Sequence, residues 1–535
     1  MHTVVRSAGA LGLTVLLLTA ATGCQADEPS AAEPAPTSPA TGTGTATGTA
    51  TGASAAATVL ATQHLDWHAC AAPTTAQGAG TAPAADWQCA TLKVPLDYGK
   101  PDGATIDLAL IRTPAKDEQQ RIGSLLFNFG GPGASGVVGL PAFAANYASL
   151  NTRYDLVSFD PRGVGASATV TCLDDRAMDA ATASDGTPDT PDEVKALDDT
   201  NAGFAAACEH NSGAVLPYVD TVSAARDMDL MRQVLGDRKL SYFGFSYGTQ
   251  LGGVYAHLFP QQVGRMVLDS VVDPTKDPQQ AALGQAQGFQ LALGDFMKAC
   301  AAQAGAACPT GAGGDEGTAK VAALLQQLDQ SPLPTKQGRQ LTESLAVTGI
   351  AGGLYSQATW PALVGGLTEA MRQGTGDTLL QLADALNGRD PQGHYNNLDA
   401  ANRAIGCVDA RQRYSDQDVQ QQLPQFRAAS PVFGTFTAWG LTGCTGWPVP
   451  GKTAHPEVSA PGAAPILVVG TTGDPATPVE GARTMAQQLG AGVGVGVTLQ
   501  GEGHGGYNTG NACLKQTVDA YLLDGTVPAD GTTCS

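Results

Sequence analysis

Leu240-Ser241-Tyr242-Phe243-Gly244-Phe245-Ser246-Tyr247-Gly248 is the stretch on which the fold turns. Leu240 to Phe243 reads as a short buried strand, and Thr249 to Phe259 has the apolar spacing of a helix. Between them lies a G-x-S-x-G pattern. A strand that bends sharply into a helix at such a Ser holds the hydroxyl clear of the sheet, while the flanking Gly residues let strand and helix close up. In a chain with 67 Gly the pattern alone says little; the strand before it and the helix after it give it weight. Ser246 is therefore the candidate nucleophile.

Working outward, Ala90 to Leu96 and Thr105 to Arg112 read as paired early strands across a Tyr-Gly-Lys-Pro-Asp-Gly turn. Ser124 to Asn128, Leu156 to Asp160, Val263 to Val271 and Pro465 to Gly470 are further short apolar runs, with helical patterns such as Ser223 to Leu235 between them. Strands alternating with helices imply a mainly parallel sheet covered on both faces. The alternation stops between about 274 and 430, where Ala281 to Gln303 and Trp360 to Asn387 are the clearest helices. Strands return afterwards, so this segment reads as an inserted helical cap. The expected fold is an α/β-hydrolase, with core at 59–273 and 431–535 and cap at 274–430.

In that fold the acid follows the nucleophile and the His comes last. His504, in Gly503-His504-Gly505-Gly506 just beyond the strand pattern Val493 to Leu499, is the one His after Asp474. His2, His64, His68 and His210 precede Ser246, while His257, His394 and His455 fall on the following helix, in the cap and before a strand. His504 is the expected base. For the acid, Asp474 follows one strand and Asp269 ends the strand before it; Asp474 holds the more usual position. Asn128-Phe129-Gly130-Gly131-Pro132-Gly133 follows an early strand and is placed for an oxyanion hole, with the Gly131 and Tyr247 amides as donors.

The N-terminus carries Arg6 and then an apolar run from Ala8 to Ala21, too short for an ordinary membrane span. It ends in Ala21-Thr22-Gly23-Cys24, similar to a bacterial lipobox although without the usual Leu three places before the Cys. The expectation is a signal peptide over 1–23 and a lipid on Cys24. A tether of Ala, Thr, Pro and Gly to about residue 58 has too little apolar surface to offset its ordering entropy. Eleven Cys is an odd count for an exported chain, and assigning Cys24 to lipid leaves ten. Cys70, Cys89, Cys172, Cys208, Cys300, Cys308, Cys407, Cys444, Cys513 and Cys534 would form five local loops if paired in sequence. No Cys-x-x-Cys occurs, which disfavours zinc, and no metal or cofactor is expected. Charged residues make up 15% and the net charge is −20, a balance that argues against binding nucleic-acid phosphates.

Taken together these motifs resemble the secreted tripeptidyl aminopeptidases, relatives of proline iminopeptidase. The resemblance runs from about Leu65 to Cys534. It is carried by Asn128 to Gly133, Asp160-Pro161-Arg162-Gly163-Val164-Gly165-Ala166-Ser167, Ser246-Tyr247-Gly248-Thr249-Gln250-Leu251-Gly252, Ala404-Ile405-Gly406-Cys407-Val408-Asp409, Asp474-Pro475-Ala476-Thr477-Pro478 and Gly501 to His504. It implies an exopeptidase acting on peptide substrates from a free N-terminus, held to the membrane through a lipid anchor only. Such an activity asks for a carboxylate to pair with the substrate ammonium. Asp409 is the first candidate, with a helix cap or loop contact as its competing role, and Glu343 and Glu369 stand behind it. Asp160 and Arg162 are expected to pair with one another and brace the oxyanion loop. A carboxylesterase, a single-residue aminopeptidase and a non-catalytic surface protein are the competing functions; the intact Ser, Asp and His weigh against the last.

Overall fold

The computed structural model describes residues 59–336 and 338–535. The signal segment, Cys24 and the tether lie outside the described residues. A ten-stranded sheet organises the chain: β1 (His68–Ala69), β2 (Gln88–Pro95), β3 (Thr105–Thr113), β4 (Gly123–Asn128), β5 (Tyr154–Phe159), β6 (Leu240–Phe245), β7 (Val263–Asp269), β10 (Ile466–Gly473), β11 (Gly494–Glu502) and β12 (Thr532–Cys534). A two-stranded hairpin, β8 (Leu333–Pro334) and β9 (Gln340–Leu341), belongs to the cap. The strand order is β1-β2-β3-β5-β4-β6-β7-β10-β11-β12. From β5 to β12 every neighbouring pair is parallel, and the first three strands join antiparallel.

The apolar runs explain this arrangement. Every residue of β4 and β5 is buried, as a strand sandwiched between helices must be. Side chains alternate between faces, so Tyr242 and Phe243 of β6 enter different cores. One face packs with Leu108, Val157, Met266 and Val468 against helices that include Thr221–Val234 and Tyr247–Leu258. The other packs Phe127, Val267 and Leu467 against Tyr147 and the last helix, Ala512–Asp524. The fold is that of the α/β-hydrolases.

Between β7 and β10 the chain builds a helical cap with its own core of Phe289, Phe296, Leu325, Leu345, Ile350 and Leu379. Helices Asp175–Ala183 and Pro191–Ser212, inserted between β5 and β6, pack against that cap. Asp179 on the first of them pairs with Arg389 at 2.8 Å, and Arg389 lies 3.6 Å from Asp384. Helix Leu398–Asp409 turns back to the sheet, and its Ala401, Ala404 and Val408 join the main core.

The ten remaining Cys pair in sequence: Cys70–Cys89, Cys172–Cys208, Cys300–Cys308, Cys407–Cys444 and Cys513–Cys534. Disulfides of this number belong to an oxidising compartment. Among the described residues no helix is long and apolar enough to cross a membrane.

One expectation fails here. Asp160 and Arg162 do not pair. Arg162 makes a bidentate pair with Asp227, both bonds at 2.7 Å, and donates to the carbonyls of Pro95, Leu96 and Tyr218. Asp160 instead accepts from Ser135 Oγ, Gln77 Nε2 and the amides of Val137 and Ala166. It thus holds Ser135 and Val137, just after the Asn128 to Gly133 loop, with neutral donors. Both side chains are fully buried, and each found partners distant in sequence.

Candidate active site

β6 ends at Phe245, and Ser246 takes φ +56° before helix Tyr247–Leu258 begins. A side chain in that region is strained, and the surrounding packing must hold it there. Ser246 N–H donates to Asp269 O at 3.1 Å, tying the bend to β7, and Ser246 O accepts from Thr249 Oγ1 at 2.6 Å. A Cβ on Gly244 would sit 2.4 Å from Gly248 O, so the bend admits no larger residue there. Ser246 is 3% exposed, and its Oγ has no hydrogen-bond partner among the described residues.

The loop carrying Gly131 lies directly against this bend. A Cβ on Gly130, at φ +86°, would fall 2.7 Å from Phe245 O and 3.3 Å from Tyr247 N. Close approach of the two segments therefore depends on Gly130. Its amide donates to Asn128 Oδ1 at 3.0 Å. The neighbouring amides of Gly131 and Tyr247 are claimed by no acceptor among the described residues.

His504 follows β11 between two residues of positive φ, Gly503 and Gly505. Its amide donates to Tyr355 O at 2.9 Å, and the Tyr355 ring meets the imidazole edge-on at 5.3 Å. Nδ1 lies 2.9 Å from Asp474 Oδ1 and 3.0 Å from Oδ2. Asp474 is itself fixed by the amides of Ala476 and Thr477 and by Thr477 Oγ1. Thr477 Oγ1 is also 3.3 Å from His504 Nδ1.

Asp269 makes no hydrogen bond to the imidazole among the described residues. It accepts from the amides of Gly506 and Tyr507 at 3.0 and 2.8 Å, and its neighbour Ser270 accepts from the Gly505 amide at 2.7 Å. Burial pushes the Asp269 carboxyl up to about 6, with the charge of Asp474 adding to the shift and the two amides opposing it. Glu502, two residues before His504, is pushed up to about 7 by burial and by Asp295.

The amine-binding candidates fare differently. Both oxygens of Asp409 are taken by Thr221, through the amide at 2.8 Å and through the hydroxyl. Thr221 Oγ1 in turn lies 2.6 Å from the Tyr247 hydroxyl. Burial pushes Asp409 up to about 7, with Asp220 reinforcing the shift. Asp409 thus stands behind the bend, where an ammonium would have to displace Thr221. Glu369 accepts from the amide and hydroxyl of Thr378. Glu343 accepts from the Thr187 hydroxyl; burial and the charges of Asp329 and Asp185 push it up to about 7.

Sequence reasoning missed Thr477, Tyr355 and the anchoring role of Asp269. The Asp-Pro-Ala-Thr spacing at 474–477 was a signal for the first, since Asp side chains bond amides two and three residues on. Tyr355 comes from the cap, and nothing local to it points towards His504.

The chain is 39% identical over 459 residues to Serine protease Hip1 of Mycobacterium tuberculosis, spanning 83% of this chain and 87% of that protein. Carboxylesterase B of the same organism is 37% identical, spanning 84% and 86%. Tripeptidyl aminopeptidase of Streptomyces lividans is 32% identical, spanning 88% and 86%. The profile of a family described as TAP-like protein matches residues 430–534, the segment that holds Asp474 and His504.

Proposed function

We propose that this serine hydrolase, which belongs to the α/β-hydrolase family with a TAP-like C-terminal segment, removes short peptides, tripeptides first, from free N-termini. The single observation that carries the mechanism is the facing of His504 Nδ1 to Asp474 beside the strained bend at Ser246. With its proton on Nδ1, the imidazole donates to Asp474 and offers Nε2 as a base. Ser246 Oγ attacks the scissile carbonyl carbon and gives its proton to His504. The carbonyl oxygen gains charge and is met by the Gly131 and Tyr247 amides. His504 then protonates the departing amine as the peptide bond breaks, leaving an acyl-enzyme on Ser246. Water, deprotonated by His504, attacks the ester carbonyl, and His504 returns that proton to Ser246 Oγ as the ester bond breaks and the peptide leaves. Asp474 keeps the imidazole in the productive tautomer and stabilises its cationic form.

The same reading places the enzyme outside the cell. Residues 1–23 serve as export signal, Cys24 carries the lipid, 24–58 form the tether, and 274–430 cap a core built from 59–273 and 431–535. The disulfides support an exported protein.

A carboxylesterase is the second reading, favoured by the 37% identity to Carboxylesterase B and by chemistry that the two reactions share. A panel of mono-, di- and tripeptide chromogenic substrates, free and N-blocked, beside a p-nitrophenyl ester separates the two. Fastest turnover of a free tripeptide, lost in Ser246→Ala, supports the proposal. Ester turnover with no peptide cleavage would replace it with the esterase.

A further inference from the structure

Beneath the cap lies a cavity of about 250 Å³ walled by Phe204, Phe289, Val347, Phe433 and Phe436. It meets the candidate active site at two points. Gln285 lines both this cavity and the smaller pocket that contains Ser246. Asn402 also lines it and donates through Nδ2 to Pro132 O at 3.1 Å, on the loop that carries Gly131.

Among the lining residues Asp399 is the sole carboxylate and Arg403 the sole cation. Arg403, one helical turn further on, is already engaged: it donates to Asn201 Oδ1 at 3.0 Å and lies 4.2 Å above the Phe204 ring. One carboxylate among aromatic walls describes a cationic and partly apolar ligand.

The geometry points to this cavity as the seat of the substrate's N-terminal end, with Asp399 pairing with the ammonium. The assignment rests on the aminopeptidase reading above and gives it a residue. Asp399 and Asp409 share helix Leu398–Asp409, but Asp409 is saturated by Thr221 while Asp399 borders the cavity. An ammonium–carboxylate contact away from bulk water is a charge-assisted hydrogen bond, stronger than a neutral one.

The test uses tripeptide p-nitroanilides with free and acetylated N-termini, and p-nitrophenyl acetate, which carries no amine. Asp399→Asn should raise KM for the free tripeptide about ten- to a hundred-fold with kcat nearly unchanged, the loss of one charge-assisted hydrogen bond. It should leave the acetylated peptide and the acetate ester unaffected. Asp399→Glu should restore part of the loss, and Asp409→Asn should keep the wild-type ratio of free to acetylated rates. If the wild type prefers the free amine and Asp399→Asn keeps that preference, the assignment of Asp399 is overturned and the aminopeptidase reading stands. If Asp399→Asn weakens free and acetylated peptides equally, Asp399 shapes the cap and the assignment is again overturned. If the wild type treats the two peptides alike, the aminopeptidase reading falls and takes the assignment with it.

Discussion

Asp269 receives the Tyr507 amide at 2.8 Å, three residues beyond His504, and so grips the far end of the loop whose near end carries the imidazole. The two acidic residues at neighbouring strand ends therefore divide the work. Asp474 meets the ring, and Asp269 meets the backbone behind it.

This division predicts unequal losses. Asp474→Asn should lower kcat about ten-thousand-fold, because an amide there favours the wrong tautomer. Asp269→Asn should cost far less, on the order of ten- to a hundred-fold, since one oxygen still accepts an amide and the loop only loosens. Steady-state kinetics on a tripeptide substrate check both. Equal losses, or the reverse ranking, would move the acid to Asp269.

Mild acid should stabilise the fold. Burial pushes Asp269 up to about 6 and Asp409 up to about 7, whereas unfolded carboxyls titrate near 3.9. Between those values the folded protein holds more protons than the unfolded chain, so stability falls as pH rises through this window. His394, raised by Asp175, acts in the same direction as pH rises through its own titration. The depressed carboxyls Asp175, Asp179 and Asp220 lose their contribution only at lower pH, below the window. Thermal unfolding of Ser246→Ala should give a higher Tm near pH 5 than near pH 7.5. A Tm that climbs over the same interval would contradict the burial of these groups.

Arg162 is the most exacting charge in the core. It is fully buried, pairs with Asp227, and satisfies three carbonyls. Arg162→Ala would leave Asp227 as an uncompensated buried charge and should cost about 3–5 kcal/mol. Urea unfolding of the Arg162→Ala and Asp227→Asn variants measures this. A loss below about 1 kcal/mol would place the pair in contact with water.

Cys24→Ser should release a soluble and fully active enzyme, because neither lipid nor tether takes part in the chemistry proposed here. Mass spectrometry of the mature N-terminus decides the matter: a lipid on Cys24 is expected, and an unmodified Cys24 in the wild type would remove the anchor.

The strand, bend and helix around Ser246 were legible because the signal is local and each part supports the others. Chain order singled out His504, and even Cys spacing anticipated the five bridges. Helix Leu398–Asp409 carries a polar stripe of Asp399, Asn402, Arg403 and Asp409 beside its buried face, but helical spacing alone does not mark which of the two carboxylates borders the cavity and which is held by Thr221. The partner of Arg162 lies 65 residues away on a helix, beyond the reach of any local pattern. Helices Asp175–Ala183 and Pro191–Ser212 carry no break in the strand–helix alternation, and only packing shows that they border the cap as well as the main core.

Asn402 reaches from the cavity wall to Pro132 on the loop that lies against the Ser246 bend, and it sits on the same helix as Asp399 and Asp409. A lineage that altered this helix to accept a new substrate would disturb that loop as well. The walls at Val347, Phe433 and Phe436 make no hydrogen bond to that loop among the described residues. Divergence in substrate preference among relatives should therefore accumulate on those walls, while the helix that carries Asn402 changes slowly. Directed evolution of this enzyme would do well to begin at the aromatic side of the cavity.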